Sequence, residues 1–231
     1  MPPIDEYFSL KTRYRENKVN SVDTFKTFHI MCEGTVTEVK YFNAIKNSGF
    51  LNVRNGIVVK LLKRTVEDKG RTQLLEMYRL MKDYVASEDF KQGDIPVLVV
   101  DLDVHKENVS FNEEIKQIQD DGIEVYGNSP CIELWLILHH PNTIDTHVLP
   151  YEEKHFENKK VSRAHTFTSK MASEILGFNP KSKLNSSLLN GIDNAMSQSD
   201  RLENRLELLN KTIGTNFQFL ISKIILDERF K

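Results

Sequence analysis

Residues 96–103, PVLVVDLD, constrain this chain more than any other stretch, because an apolar run of strand character ends in two acids one residue apart. Val97, Leu98, Val99 and Val100 show no polar alternation, the pattern of a central strand in a parallel sheet whose two faces are both covered by helices. Ligand-binding groups in such sheets gather beyond the carboxyl ends of the strands. Asp101 and Asp103 stand there, and in extended chain residues i and i+2 point the same way, so both carboxylates are expected to converge on one spot. Two like charges so placed repel unless a cation lies between them, and an oxygen-preferring divalent ion, Mg²⁺ or Mn²⁺, answers that need. The plainer alternative has Asp101 capping the next helix and Asp103 solvated.

The 231 residues are 39% hydrophobic, enough for a real core, and the formal net charge of -2 excludes a globally basic nucleic-acid coat. Contact with nucleic acid must then come from a local patch or a metal. No apolar run reaches the length of a membrane span, and the charged opening does not read as a signal peptide, so a cytoplasmic protein without membrane contact is expected. Cys32 and Cys131 lie in apolar runs without zinc-site spacing and are expected to be buried, reduced thiols.

Taken in order, residues 1–23 read as a mixed-charge arm. Residues 24–145 read as an α/β core, and residues 146–231 as a helical extension. A strand over 24–32 meets Glu33-Gly34, where the chain must turn, and a helix follows over 35–47 with Thr35 or Thr37 as its cap. Glu33 thus joins Asp101 and Asp103 on one rim, with Glu38 in the first turns of the helix. A strand within 51–62 follows the Asn55-Gly56 turn signal. A charged loop over 63–71, a helix over 72–85, a helix over 111–119 and a strand over 123–126 complete a parallel sheet flanked by helices.

Ser129 and Pro130 then read as N-cap and first helical residue of a helix that is apolar all round except for Glu133. A carboxylate entering the core there needs a cation, a donor or a raised pKa, although backbone amides of the first turn could also hold it. His139 and His140 close that helix, where positive charge would suit the dipole. Three more helices are expected over 160–176, 188–210 and 216–226, with no further strand. Residues 151–183 hold seven Lys or Arg against four Glu, a basic block suited to phosphate contacts or to a solvated face. Leu202, Leu206 and Leu209 are core or partner-helix positions.

Three segments, CEGTVTEVKYF at 32–42, VVDLDVH at 99–105 and NSPCIELWLILHH at 128–140, together resemble the RloB-like family. These are Toprim-related proteins found near bacterial restriction and abortive-infection systems. The resemblance spans most of the chain after residue 24, with weaker agreement through GIDNA at 191–195. It implies a Toprim-like parallel sheet in which Glu33 is a general acid or base, or a metal ligand, while Asp101 and Asp103 hold Mg²⁺ or Mn²⁺. It also draws in Glu38 and Glu133 as further metal ligands, and His105 with Lys106 as contacts to the substrate. Leu102 departs from the arginine common between the two acids.

The reading that follows is a Mg²⁺-dependent nuclease hydrolysing DNA or RNA in anti-phage defence, together with a separately encoded AAA- or ABC-type ATPase. This chain carries no P-loop of its own. A non-catalytic Toprim-like module that binds nucleic acid or regulates a partner ATPase is the alternative from another class. A haloacid-dehalogenase-type phosphatase fits less well, because its nucleophile belongs on the first core strand, which here ends in Glu33.

Overall fold

The computed structural model describes residues 26–52, 56–62 and 74–225. Strands β1 (Lys26–Cys32), β2 (Ile57–Leu61), β3 (Ile95–Asp101), β4 (Glu124–Ser129) and β5 (Gly214–Thr215) form one sheet in the order β2-β1-β3-β4-β5. The first four run parallel and β5 is antiparallel to β4. Helices α1 (Thr37–Asn47), α2 (Leu74–Val85), α3 (Phe111–Asp120) and α4 (Ile132–Ile137) follow β1, β2, β3 and β4 in turn, the α/β arrangement expected and consistent with a Toprim-like fold. Helices α5 (Glu152–Glu157), α6 (Phe167–Leu176), α7 (Ile192–Ser199) and α8 (Phe217–Ile224) come after them. No helix among the described residues is long and apolar enough to cross a membrane.

The pleat of β3 divides the core. Val97 and Val99 face an apolar cluster built with α1, α4, α6, α7 and α8, while Leu98 and Val100 face a second cluster under α2 and α3. All four are fully buried, as an unalternating central strand should be. The larger cluster joins the sheet to the helices beyond residue 160 through Ala172, Leu189, Ala195 and Phe217. Leu102 lies in the second cluster, so its side chain is a core group. Both cysteines are buried and are not joined in a disulfide, as expected.

Several local expectations are corrected. The strand ends at Asp101, and Leu102–Val104 is a single 3-10 turn, so Asp101 and Asp103 are not two successive rungs of one extended segment. Val36, not Thr35 or Thr37, precedes α1, without a side-chain cap. Ser129 ends β4 and is joined to Pro130 by a cis peptide, and α4 begins after Cys131. The helix expected over 188–210 is three shorter pieces, a 3-10 stretch Ser186–Gly191, α7, and a 3-10 turn Leu206–Leu208. Residues 160–166 precede α6 as turns. The strand β5, not foreseen, pairs Thr215 with Asn128. The arm over 1–23 and the charged loop over 63–71 lie outside the described residues.

A closed polar circuit holds α1 against α4. Trp135 Nε1 donates to Tyr41 Oη at 2.8 Å, Tyr41 Oη lies 3.2 Å from His139 Nε2, and His139 Nδ1 lies 3.0 Å from the Trp135 carbonyl. One neutral tautomer satisfies every link, with Nδ1–H donating to the carbonyl and Nε2 accepting from the tyrosine. Burial lowers the His139 pKa to about 4, so the positive charge expected at the end of this helix is absent at neutral pH. Tyr41→Phe strands two buried ring nitrogens; it should cost about 1–3 kcal/mol, read as a lower urea midpoint at unchanged slope.

Candidate functional site

Every acid singled out from the sequence comes to the carboxyl rim of the sheet, because β1, β3 and β4 end side by side there. Glu33 follows β1, its amide donating to the Val99 carbonyl at 2.8 Å. Its Oε2 accepts the backbone N–H of Asp101 at 3.0 Å, so the first acid is fixed by the strand that carries the second. Asp101 Oδ1 in turn accepts the Ile132 amide at 2.9 Å, which docks the start of α4 onto the rim. The Asp103 amide donates to the Pro130 carbonyl at 2.9 Å.

Glu38 folds back over the turn. Its carboxylate lies over Gly34 before α1, where nearby backbone N–H groups lower its proton affinity. A Cβ at residue 34 would stand 1.9 Å from Glu38 Oε1, so glycine is what lets the carboxyl lie there. The result is a cleft of about 310 Å³ whose lining includes Glu38, Asp101, Asp103 and Glu133. Glu33 is buried behind it, and Glu133, on the first turn of α4, is only 4% exposed.

The crowding shows in the proton affinities. Loss of hydration, then the charges of Glu133 and Glu33, push the Glu38 carboxyl up to about 7. Asp101 is driven well above the usual carboxylate range by burial first and then by Glu38, Glu133, Asp103 and Glu33. Cys131 is likewise pushed up by burial and by Glu133, Asp101 and Asp103, and is a thiol. Among the described residues no Lys or Arg forms an ion pair with Glu38, Asp101, Asp103 or Glu133.

His105 and Lys106 are placed differently. The His105 ring is buried outside the cleft lining, with Nε2 3.6 Å from Glu33 Oε2 and the ring 5.8 Å from that of Phe111. Lys106 turns toward α5, donating to the Phe156 carbonyl and covering the Phe156 ring at 4.7 Å.

Sequence reasoning missed Asn158. It terminates α5 in the left-handed region (φ 48°), and its Nδ2 donates to Asp103 Oδ2 at 3.0 Å while its Oδ1 accepts the Thr168 amide at 3.1 Å. The one available signal was an asparagine just after a helical stretch, a common left-handed terminator. Cys131, Thr166 and Lys181 also line the cleft.

As a donor set the cleft is rich in carboxylate oxygen, which suits a hard divalent cation, and such a cation would relieve the share of the raised Glu38 and Asp101 affinities that comes, after burial, from the neighbouring carboxylates. In this arrangement no group of three or more His, Cys, Asp and Glu among the described residues is assembled to hold a metal ion.

A family model described as RloB-like protein matches residues 28–224. No curated protein and no solved structure matches the chain.

The sign of the pH dependence follows from Glu38. Its folded pKa is about 7 against an ordinary 4.5, so the folded chain binds the proton more tightly than the unfolded one. Stability is fully present below about pH 4.5 and is lost as pH rises through 7, by roughly 3 kcal/mol at most from this group. His139 works in the opposite sense, since its folded pKa of about 4 against 6.5 costs stability as pH falls between those values. Comparing Glu38→Gln with the unaltered chain isolates the first effect: in metal-free buffer the variant should gain stability relative to wild type from pH 5 to pH 8, measured by urea unfolding.

Proposed function

The chain belongs to the RloB-like protein family, and from that membership together with its acid-lined rim we propose that it is a Toprim-like, metal-dependent nuclease of anti-phage defence. The observation that carries this reading is the meeting of Glu33, Glu38, Asp101, Asp103 and Glu133 at the carboxyl ends of neighbouring parallel strands. Phosphodiester hydrolysis needs an activated water and neutralised charge on the attacked and departing oxygens. A divalent cation, Mg²⁺ or Mn²⁺, supplies both when bound.

Asp101 and Asp103 are the residues to hold it, with Glu38 and Glu133 as flanking oxygen donors. To Glu33, held by the Asp101 amide just behind the cleft, we assign the exchange of a proton with the reacting centre or an oxygen for the cation. His105 sits behind Glu33 and acts through it rather than on the substrate. Lys106, turned toward Phe156, meets substrate only if it leaves that carbonyl. A partner ATPase and a cytoplasmic setting belong to the same proposal. The non-catalytic alternative, a module that binds nucleic acid or regulates such an ATPase, predicts no dependence of function on the acids.

Calorimetric titration with Mg²⁺ and Mn²⁺ tests this, run on the unaltered chain and on Asp101→Asn with Asp103→Asn. Asparagine keeps an oxygen acceptor for the Ile132 amide and for Asn158, so the fold should survive. Saturable binding lost in the double variant, with metal-dependent cutting of plasmid, single-stranded DNA or tRNA by the unaltered chain alone, is the expected result. Binding with no cutting on any substrate points to the regulatory module, and absence of both removes the metal site.

A further inference from the structure

The cleft has two walls of different character. One is the rim itself, running through Gly34, Thr35, Thr37, Glu38, Asp101, Asp103 and Glu133. The other comes from beyond residue 150 and contributes Asn158, Thr166 and Lys181. This second wall is tied to the first at both ends. Asn158 bonds to Asp103 at one end. At the other, Lys40 of α1 donates from Nζ to the carbonyls of Lys181 at 2.5 Å and Ser182 at 2.9 Å. Between the ties, α6 is fixed by a Thr166–Ser169 capping box and packs its buried Ala172 into the main core.

We propose that this cleft is a slot for one unpaired nucleic-acid strand, in which Lys181 holds the phosphate next to the bond at the acid rim. The proposal rests on the nuclease reading above and names its substrate class. Lys181 is exposed, is the one cation in the cleft lining, and forms no ion pair among the described residues. Its backbone is held on both sides, by Asn179 Oδ1 accepting its amide at 2.9 Å and by Lys40 on its carbonyl. The hydroxyls of Thr35 and Thr37 share the lining and suit phosphate oxygens.

Three features select a single strand. A space of about 310 Å³ is at the small end for a bound ligand, sufficient for a short piece of one chain. A duplex would bring a second phosphate backbone against a wall bonded to the rim at both ends. With a net charge of -2 the protein is also not globally basic, so the general attraction that strengthens duplex binding is small. Among the described residues no aromatic ring lines the cleft, so the strand is held by its backbone and read with little base preference.

Fluorescence anisotropy tests this with a short labelled single strand and a blunt hairpin of the same sequence, in DNA and RNA forms, with Ca²⁺ in place of Mg²⁺. The single strand should bind about tenfold tighter than the hairpin. Lys181→Ala should weaken it about fivefold and lower the slope of log affinity against log salt by about one, while Lys181→Arg keeps both. Lys116→Ala, outside the cleft, serves as control and should change neither. The DNA and RNA arms identify the sugar. Equal binding of hairpin and single strand, no binding of either, or an unchanged salt slope in Lys181→Ala overturns the slot. If calorimetric Mg²⁺ binding is intact in that same preparation, the metal-site reading survives that loss; if Mg²⁺ binding is absent, the parent reading is what has failed.

Discussion

One hydrogen bond, from the Asp101 amide to the Glu33 carboxylate, sets the geometry on which the rest of the rim depends. It ties the end of β1 to the end of β3 at the point where both strands stop, and it fixes the acid of one strand by the backbone of the next. From there the linkage runs on, through Asp101 to the Ile132 amide, through the Asp103 amide to the Pro130 carbonyl, and through Asp103 to Asn158. Backbone amides and one side-chain amide do the holding. Asp101 and Asp103 are thereby oriented without a Lys or Arg ion pair among the described residues.

That choice has an energetic consequence. Donors such as backbone N–H groups stabilise a carboxylate less than an ion pair would, so burial and mutual repulsion win at Glu38 and Asp101 and their proton affinities rise. The rim is therefore a region of stored electrostatic repulsion set against a well-packed sheet. The Trp135–Tyr41–His139 circuit on the other side of α4 is fully satisfied and neutral, and Trp135 and Tyr41 are wholly buried. One helix thus carries a satisfied polar network on one side and an unresolved charge cluster at its start, a division common between structural and functional polar groups.

The sequence was most legible where local pattern and burial agree. Val97–Val100 announced a central strand because both faces of that strand are covered, and Glu33-Gly34 announced the end of β1 because the turn needs a small residue. Legibility failed where the deciding contact is distant. The two-residue strand β5 exists only because Thr215 meets Asn128, which is 87 positions away. Leu202, Leu206 and Leu209 kept helical spacing, yet Leu206 and Leu209 are buried, and Leu202 partly so, from a loop and a 3-10 turn, because what they satisfy is a core and not a helix face. Asn158 could not be found by spacing at all, since its function comes from reaching 55 residues back to Asp103.

That reach also sets an order of events. A chain made from its N-terminus exposes Glu33, Glu38, Asp101, Asp103 and Glu133 before Asn158, Thr166 and Lys181 have left the ribosome. The acids are thus gathered first and their second wall arrives last, together with α6 and α8, which complete the main core. A nascent sheet of this kind carries its gathered acids before Asn158 bonds Asp103 and before Lys40 meets the carbonyls of Lys181 and Ser182, so the cleft has its second wall only when the last third of the chain has folded onto the first.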